Sequence, residues 1–144
     1  MNINDMAALY GKLPQSAAFL KLVADKKIGN ISAQGLVASA APVFFASLFE
    51  RLNRTVLFVL NDADEAGYFY NDMAQMLGQQ KVLFFPSSYK RAVKYGQRDA
   101  ANEILRTEAL SRLAAVGGDA KKRGDKNEAA PFLYVVTCPE ALSE

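Results

Sequence analysis

Apolar residues near the start of the chain recur at the three- and four-residue spacing that is typical of helices. One set comprises Met6, Leu9, Tyr10 and Leu13, and a second set comprises Ala17, Ala18, Phe19, Leu22 and Val23. Pro14 suits the first turn of the second helix, and Lys26 and Lys27 before Gly29 suit its end. Residues 1–27 are therefore predicted to form two short helices that pack on a core built from residues 28–144.

Four later segments have the length and composition of strands, and helical patterns separate them. The predicted strands are about Asn30–Leu36, Thr55–Leu60, Lys81–Phe85 and Phe132–Val136, of which the first contains few strong strand formers. Thr55–Leu60 is a continuous apolar run, typical of a strand that is covered on both faces. Helices are predicted at Val43–Phe49, after Asn61 as far as Leu77, and at Asp99–Val116. In the last of these, we expect one stripe of Ala101, Ile104, Leu105, Ala109 and Leu113.

This alternation of strands and helices predicts an α/β fold with a mainly parallel sheet flanked by helices. In such folds the functional loops lie at the carboxyl ends of the strands. The polar stretch 117–130 has no apolar periodicity, so it is predicted to be a flexible surface loop. The 144 residues, 51% of them apolar, suffice for one core.

The composition excludes several classes of site. The chain has no histidine and only one cysteine, Cys138, which rules out Ser-His-Asp and Cys-His catalysis, a Cys/His zinc site and an internal disulfide. Cys138 is therefore expected to be a packing residue, and the chain a cytoplasmic one without a membrane span or targeting segment. The net charge of +2 gives no global case for nucleic-acid binding.

The loop before the Val43–Phe49 helix has the position of a phosphate-binding P-loop, G-x-x-x-x-G-K-[ST]. In that motif glycine admits backbone N–H groups to the phosphates, lysine neutralises them and the hydroxyl binds magnesium. Gly35 is kept here, but the second glycine is Ala40, the lysine is Ala41 and the hydroxyl residue is Pro42. We therefore expect no tight nucleotide binding. An ordinary turn of small residues between a strand and a helix would explain the sequence equally well.

Two further loops offer weaker chemistry. The acidic run Asn61–Glu65 has the residues of a magnesium site, but helix capping explains it more simply. The segment Pro86–Asp99 interleaves cationic and aromatic residues, a composition that suits contacts with phosphates and bases and equally suits a solvated basic surface. The candidate nucleic-acid or partner contacts are Tyr89, Lys90, Arg91, Lys94 and Arg98.

Taken in order, these segments resemble the amino-terminal module of bacterial transcription-repair coupling factors, the Mfd family. Gly35–Ala46 is similar to the family's degenerate P-loop turn, and Val56–Ala66 to its next strand and helix start. Phe84–Thr107 is similar in its proline after an apolar strand and its Gln-x-Asp and Glu-x-Leu-x-Thr pattern. Tyr134–Leu142 is similar to its closing strand and short helix, so the resemblance covers the chain from about residue 28 onwards.

The resemblance implies a UvrB-like, helicase-type domain without working ATPase motifs. Members of the family are ATP-dependent DNA translocases that displace stalled RNA polymerase and recruit UvrA for nucleotide excision repair. It implies that UvrA is contacted mainly through the following domain, and that ATP and magnesium bind in a motor beyond Glu144. The expected role of this segment is a non-catalytic scaffold with no cofactor and no metal of its own, in a fragment of a larger multidomain protein.

Two other hypotheses stay open. One is a stand-alone nucleotide-binding enzyme with an atypical phosphate loop, in which Gly35 and Asp62 would be essential. The other is a small nucleic-acid-binding module that uses the basic segment after Pro86.

Overall fold

The computed structural model describes residues 2–89, 97–122 and 132–144, with the side chains of 118–122 left aside. Lys90, Arg91 and Lys94 lie outside the described residues. The elements of the described part are α1 (Ile3–Gly11), α2 (Pro14–Ala24), α3 (Ala40–Leu52), β1 (Val56–Val59), α4 (Ala63–Leu77), β2 (Val82–Phe85), α5 (Ala100–Lys122), β3 (Tyr134–Thr137) and α6 (Pro139–Leu142).

The three strands form one parallel sheet in the order β1-β3-β2. Val56 of β1 and Val82 of β2 both align with Tyr134, so the last strand in the chain is the middle strand of the sheet. All four residues of β3 are buried, as expected for a strand with a neighbour on each side and helices on both faces. The α/β class and the parallel sheet are thereby confirmed.

The larger core lies between the sheet and the helices α3 and α4. Alternate strand residues point to this side, namely Val56, Phe58, Val82, Phe84, Tyr134 and Val136. The Tyr134 ring lies 4.7 Å from the ring of Phe49 and 5.0 Å from that of Phe58, and its hydroxyl donates to the carbonyl of Phe45 at 3.1 Å. Burial of this phenol raises its pKa well above the ordinary value of a tyrosine.

The other face of the sheet is covered only in part. Helix α5 packs over β2 and β3, where its Ala109 meets Leu83, Leu133 and Val135. Leu57 aligns with Val135 and so lies on the same face, yet its exposed fraction is 54%, and that of Val59 is 50%. The expectation that β1 is covered on both faces is wrong, because in the described residues α5 covers only the β2 and β3 side of this face.

The predicted first strand at about Asn30–Leu36 is absent. The segment is irregular, and within it Gly35 adopts a φ of +86°, while nearby Ala38 adopts +49°. Left-handed residues do not continue a strand, and a segment with few β-branched or aromatic residues gains little from joining a sheet. The sheet therefore lacks the strand that normally precedes a P-loop.

Helix α5 differs from the prediction in its length and in its buried face. It extends into the predicted flexible loop and ends at Lys122. The two glycines at 117 and 118 lower the helix stability by only about 1 kcal/mol each, and good helix formers follow them. The rest of the predicted loop falls outside the described residues. Ile104 of the expected stripe is 67% exposed, whereas the neighbouring Arg106 side chain points inward and makes polar contacts.

The two predicted amino-terminal helices form as α1 and α2, with Pro14 in the first turn of the second. The hydroxyl of the buried Ser16 donates to the carbonyl of Tyr10 at 2.6 Å and joins the two helices. Arg51 of α3 donates to the carbonyl of Gly11 at 2.8 Å, which fixes α1 to the larger core. None of the helices within the described ranges is long and apolar enough to cross a membrane.

Replacing Tyr134 with phenylalanine should destabilise the protein by about 1 kcal/mol, because the ring packing stays while the hydrogen bond to Phe45 is lost. Urea denaturation measures the change. Tyr68→Phe is the matched control, because Tyr68 is 74% exposed and should tolerate the loss of its hydroxyl. Equal stability of the two variants would contradict a contribution from the Tyr134 hydroxyl.

Candidate functional site

The segment matched to a phosphate loop borders a cleft of about 440 Å³ at the carboxyl end of β1. The residues lining it are Leu36, Ala38, Ser39, Ala41, Pro42, Leu60, Glu65, Tyr68, Phe69 and Asp72. Two carboxylates therefore face the space in front of α3, and no lysine or arginine is among the described residues that line it. Negative charge at this place repels phosphate groups.

The start of α3 also lacks the donors of a phosphate site. Pro42 is buried in its first turn and has no backbone N–H to offer, and the Ser39 side chain makes no capping hydrogen bond. Gly35 and Ala40 line a neighbouring groove of about 480 Å³, which is otherwise formed by residues of α1 and α2, by residues 31–36 and by Phe44. Of the four predicted phosphate-loop positions, Gly35 and Ala40 thus line one space while Ala41 and Pro42 line the other, so the four do not form a cradle around a common centre.

The acidic loop after β1 is a helix cap, as predicted. Asp62 is the N-cap of α4, and its carboxylate accepts the backbone N–H of Glu65 at 2.8 Å. The Glu65 carboxylate in turn accepts the side-chain amide of Asn61 at 2.8 Å and its backbone N–H at 3.2 Å. The bond from Glu65 satisfies one of the free donors at the start of the helix, and the bonds from Asn61 complete a cap that explains the acidic residues of this loop.

The basic segment after β2 is described only at its two ends. Tyr89 and Arg98 form an isolated antiparallel bridge, and Asp99 donates its backbone N–H to the carbonyl of Ser88 at 2.7 Å. Tyr89 is 43% exposed, and the Arg98 guanidinium lies 3.1 Å from the Glu103 carboxylate. Of the five candidate contacts, only Tyr89 and Arg98 lie within the described residues, and the structure brings these two together.

A polar cluster that the sequence did not single out lies beyond the carboxyl end of β2. We call it the Glu144 cluster, and its members are Ser87, Ser88, Arg106 and Glu144. One oxygen of the Glu144 carboxylate accepts the hydroxyl of Ser87 and, at 3.2 Å, the backbone N–H of Ser88. The other oxygen accepts that N–H at 2.9 Å and the Ser88 hydroxyl at 2.5 Å. This second oxygen also lies 3.4 Å from a nitrogen of Arg106.

Arg106 is held in place by more than the carboxylate. Its Nη1 donates to the carbonyls of Pro86 at 2.9 Å and Ala141 at 3.0 Å, and its guanidinium lies 4.1 Å from the centre of the Phe85 ring. A guanidinium on an aromatic face is stabilised by the ring's electron density as well as by these hydrogen bonds. Arg106 therefore joins the end of β2, helix α5 and helix α6.

The Glu144 cluster occupies the crevice between the carboxyl ends of two adjacent strands. β2 leads into α5, which packs on the smaller core, whereas β3 leads into α6, whose Ala141 belongs to the larger core. In open α/β sheets, ligands bind at the carboxyl ends of the strands, at points where the connections leave to opposite faces. The cluster thus lies at a place where such folds commonly bind ligands.

The surroundings of Glu144 stabilise its ionised form. Desolvation opposes ionisation, but the hydrogen bonds from Ser87 and Ser88 and the positive charge of Arg106 outweigh it and hold the pKa of this carboxyl below its ordinary value. The side chains of Arg106 and Glu144 are only 18% and 16% exposed, so solvent screens the pair much less than a surface ion pair.

Two sequence signals point to this cluster only after the fold is known. Pro86-Ser87-Ser88 directly follows an apolar strand, the position at which functional loops are expected. Arg106 lies one residue after Leu105 in a segment with a periodic apolar pattern. A charged residue at such a position is expected to face solvent. Cys138 is buried in the larger core, as predicted for a packing thiol.

Comparison of the chain with protein-family models, with curated proteins and with solved structures finds no significant match.

Acid titration should separate the Glu144 carboxylate from ordinary surface carboxylates. A carboxyl whose pKa is lowered by folding contributes stability above its unfolded pKa, and that stability is lost as pH falls below about 4.5 through the folded pKa. Glu144→Gln should therefore lower stability at neutral pH and flatten its fall in acid, measured by urea denaturation at each pH. Glu108→Gln, which removes an exposed carboxylate 3.6 Å from Arg112, is the control. Equal acid dependence in both variants would contradict this assignment.

Proposed function

We propose that this chain is a non-catalytic scaffold and interaction module, similar to the UvrB-like amino-terminal module of transcription-repair coupling factors. The observation that supports the non-catalytic part is the cleft of about 440 Å³ in front of α3, which we call the α3 cleft. It has the position of a nucleotide site, but carboxylates line it where a nucleotide site has a lysine. Glu65 and Asp72 face it, and Pro42 removes a donor at the helix start. A nucleoside triphosphate would meet negative charge, with no lysine or arginine among the described residues of the cleft to compensate it.

The coupling-factor part of the proposal is supported by the order of the sequence segments and by the parallel α/β architecture in which they lie. The segments matched to the family's second strand and closing strand form β1 and β3, which are adjacent in the sheet. In such a protein this module would mount the UvrA-binding domain and contact neighbouring domains. ATP, magnesium, double-stranded DNA and RNA polymerase would be bound by other parts of the same protein.

The geometry gives less support to the other two hypotheses. An atypical nucleotide enzyme would need Gly35 and Asp62 near one another, but Gly35 borders the groove beside α1 and α2 while Asp62 is engaged as the cap of α4. Of the four cations that a nucleic-acid module would use, Lys90, Arg91 and Lys94 lie outside the described residues, and Arg98 pairs with Glu103. Duplex binding that weakens steeply with salt would be the signature of that module.

Titration with magnesium and ATP tests the non-catalytic assignment. Isothermal calorimetry up to millimolar nucleotide should give only heats of dilution, because the α3 cleft offers carboxylates in place of a lysine. Gly35→Ala and Asp62→Ala are the matched variants, since the enzyme hypothesis makes both residues essential. Saturable binding that either substitution abolishes would overturn the proposal.

The coding sequence after the codon for Glu144 tests the coupling-factor assignment. We expect an open reading frame that continues into the motifs of a double-stranded DNA translocase several hundred residues downstream. A stop codon at that point, or a continuation into an unrelated catalytic domain, would contradict the assignment.

A further inference from the structure

The Glu144 cluster has the components of an oxyanion site. Two hydroxyls, one backbone N–H and one guanidinium converge on the Glu144 carboxylate, and its oxygens accept the serine donors at distances up to 3.2 Å. Charge-assisted hydrogen bonds of this kind are about twice as strong as neutral ones, and arginine with hydroxyls and backbone amides is a common set of ligands for phosphate. The site therefore binds an anion already, and the anion is a side chain of the same chain.

The donors of the site are positioned independently of Glu144. The bonds of Arg106 to Pro86 and Ala141 and its contact with the Phe85 ring do not involve the carboxylate. The loop carrying the serines is held from the opposite side by Asn102, whose side-chain amide donates to the carbonyl of Ser87 at 2.9 Å. Removal of Glu144 would thus leave a formed cationic site.

The occupant of the site lies outside the sheet and the helices. Helix α6 ends at Leu142, and Glu144 follows two residues later, outside regular secondary structure. Glu144 belongs to neither core, so displacement of its carboxylate would leave the sheet and both cores in place. A ligand with more acceptor oxygens would use the same donors, and a phosphate monoester offers three terminal oxygens where a carboxylate offers two.

We propose that Ser87, Ser88 and Arg106 form a binding site for a phosphate group, and that Glu144 occupies this site from within the chain and competes with that ligand. The phosphate would accept hydrogen bonds from the two hydroxyls and the Ser88 N–H in the crevice between the ends of β2 and β3, and the positive charge of Arg106 would lie beside it. This inference does not rest on the coupling-factor role, since it concerns a different cleft from the one in front of α3.

Phosphate titration of four proteins tests the proposal, with inorganic phosphate as the probe, at neutral pH and at an ionic strength held constant with chloride. Binding is followed by calorimetry, and circular dichroism checks that each variant is folded. Glu144→Ala should bind phosphate at least about tenfold more tightly than the wild type, because an internal occupant reduces the fraction of molecules able to bind ligand. Adding Ser87→Ala and Ser88→Ala to that variant should return the affinity to the wild-type value or abolish binding.

Glu140→Ala is the matched control, because it makes the same change in net charge within α6 and leaves the cluster intact. It should bind phosphate as the wild type does.

A parallel titration with acetate distinguishes a site for phosphate from a site for any carboxylate, and we expect the weaker binding with acetate. Should Glu144→Ala fold poorly, Glu144→Gln supplies the same comparison, since it removes the charge and keeps the shape.

Three results would overturn the proposal. They are unchanged phosphate affinity in folded Glu144→Ala or Glu144→Gln, an equal gain in Glu140→Ala, and a gain that survives the loss of both serine hydroxyls. Each of them leaves the ATP titration of the α3 cleft unaffected, so failure here is distinguishable from failure of the proposed scaffold role.

Discussion

The sheet depends on one strand that comes late in the chain. β1 and β2 each pair with β3 and, within the described residues, not with one another. Tyr134 and Val136 fill the larger core while Val135 fills the smaller one, so the same four-residue segment completes both sides of the sheet. The two cores therefore form together, and a defect in β3 affects them both.

Features governed by neighbouring residues were predictable from the sequence. The cap at Asp62, the proline at the start of α2 and the apolar strands β1 and β2 all have local causes. Each lies within one or two residues of its predicted position. The prediction of a first strand at about Asn30–Leu36 was wrong, because its residues have little preference for a sheet and because Gly35 and Ala38 take left-handed conformations.

Features governed by distant residues were not predictable. Arg106 turns inward because its partners are carbonyls of Pro86 and Ala141 and the carboxylate of Glu144, which lie far from it in sequence. The exposure of the Leu57 and Val59 side chains depends on which strands α5 covers. This is set by the topology of the fold, which the spacing of apolar residues does not predict. The site chemistry was missed for the same reason, since its four residues come from three separate segments.

The position of β3 has a consequence for synthesis of the protein. Translation proceeds at roughly 5 to 20 residues per second, so several seconds pass between synthesis of Val56 and synthesis of its partner Tyr134. During that interval the nascent chain carries two apolar strands without the strand that joins them. The exposure of these apolar strands during synthesis is therefore set by the order of the strands along the chain and not by the stability of the finished fold.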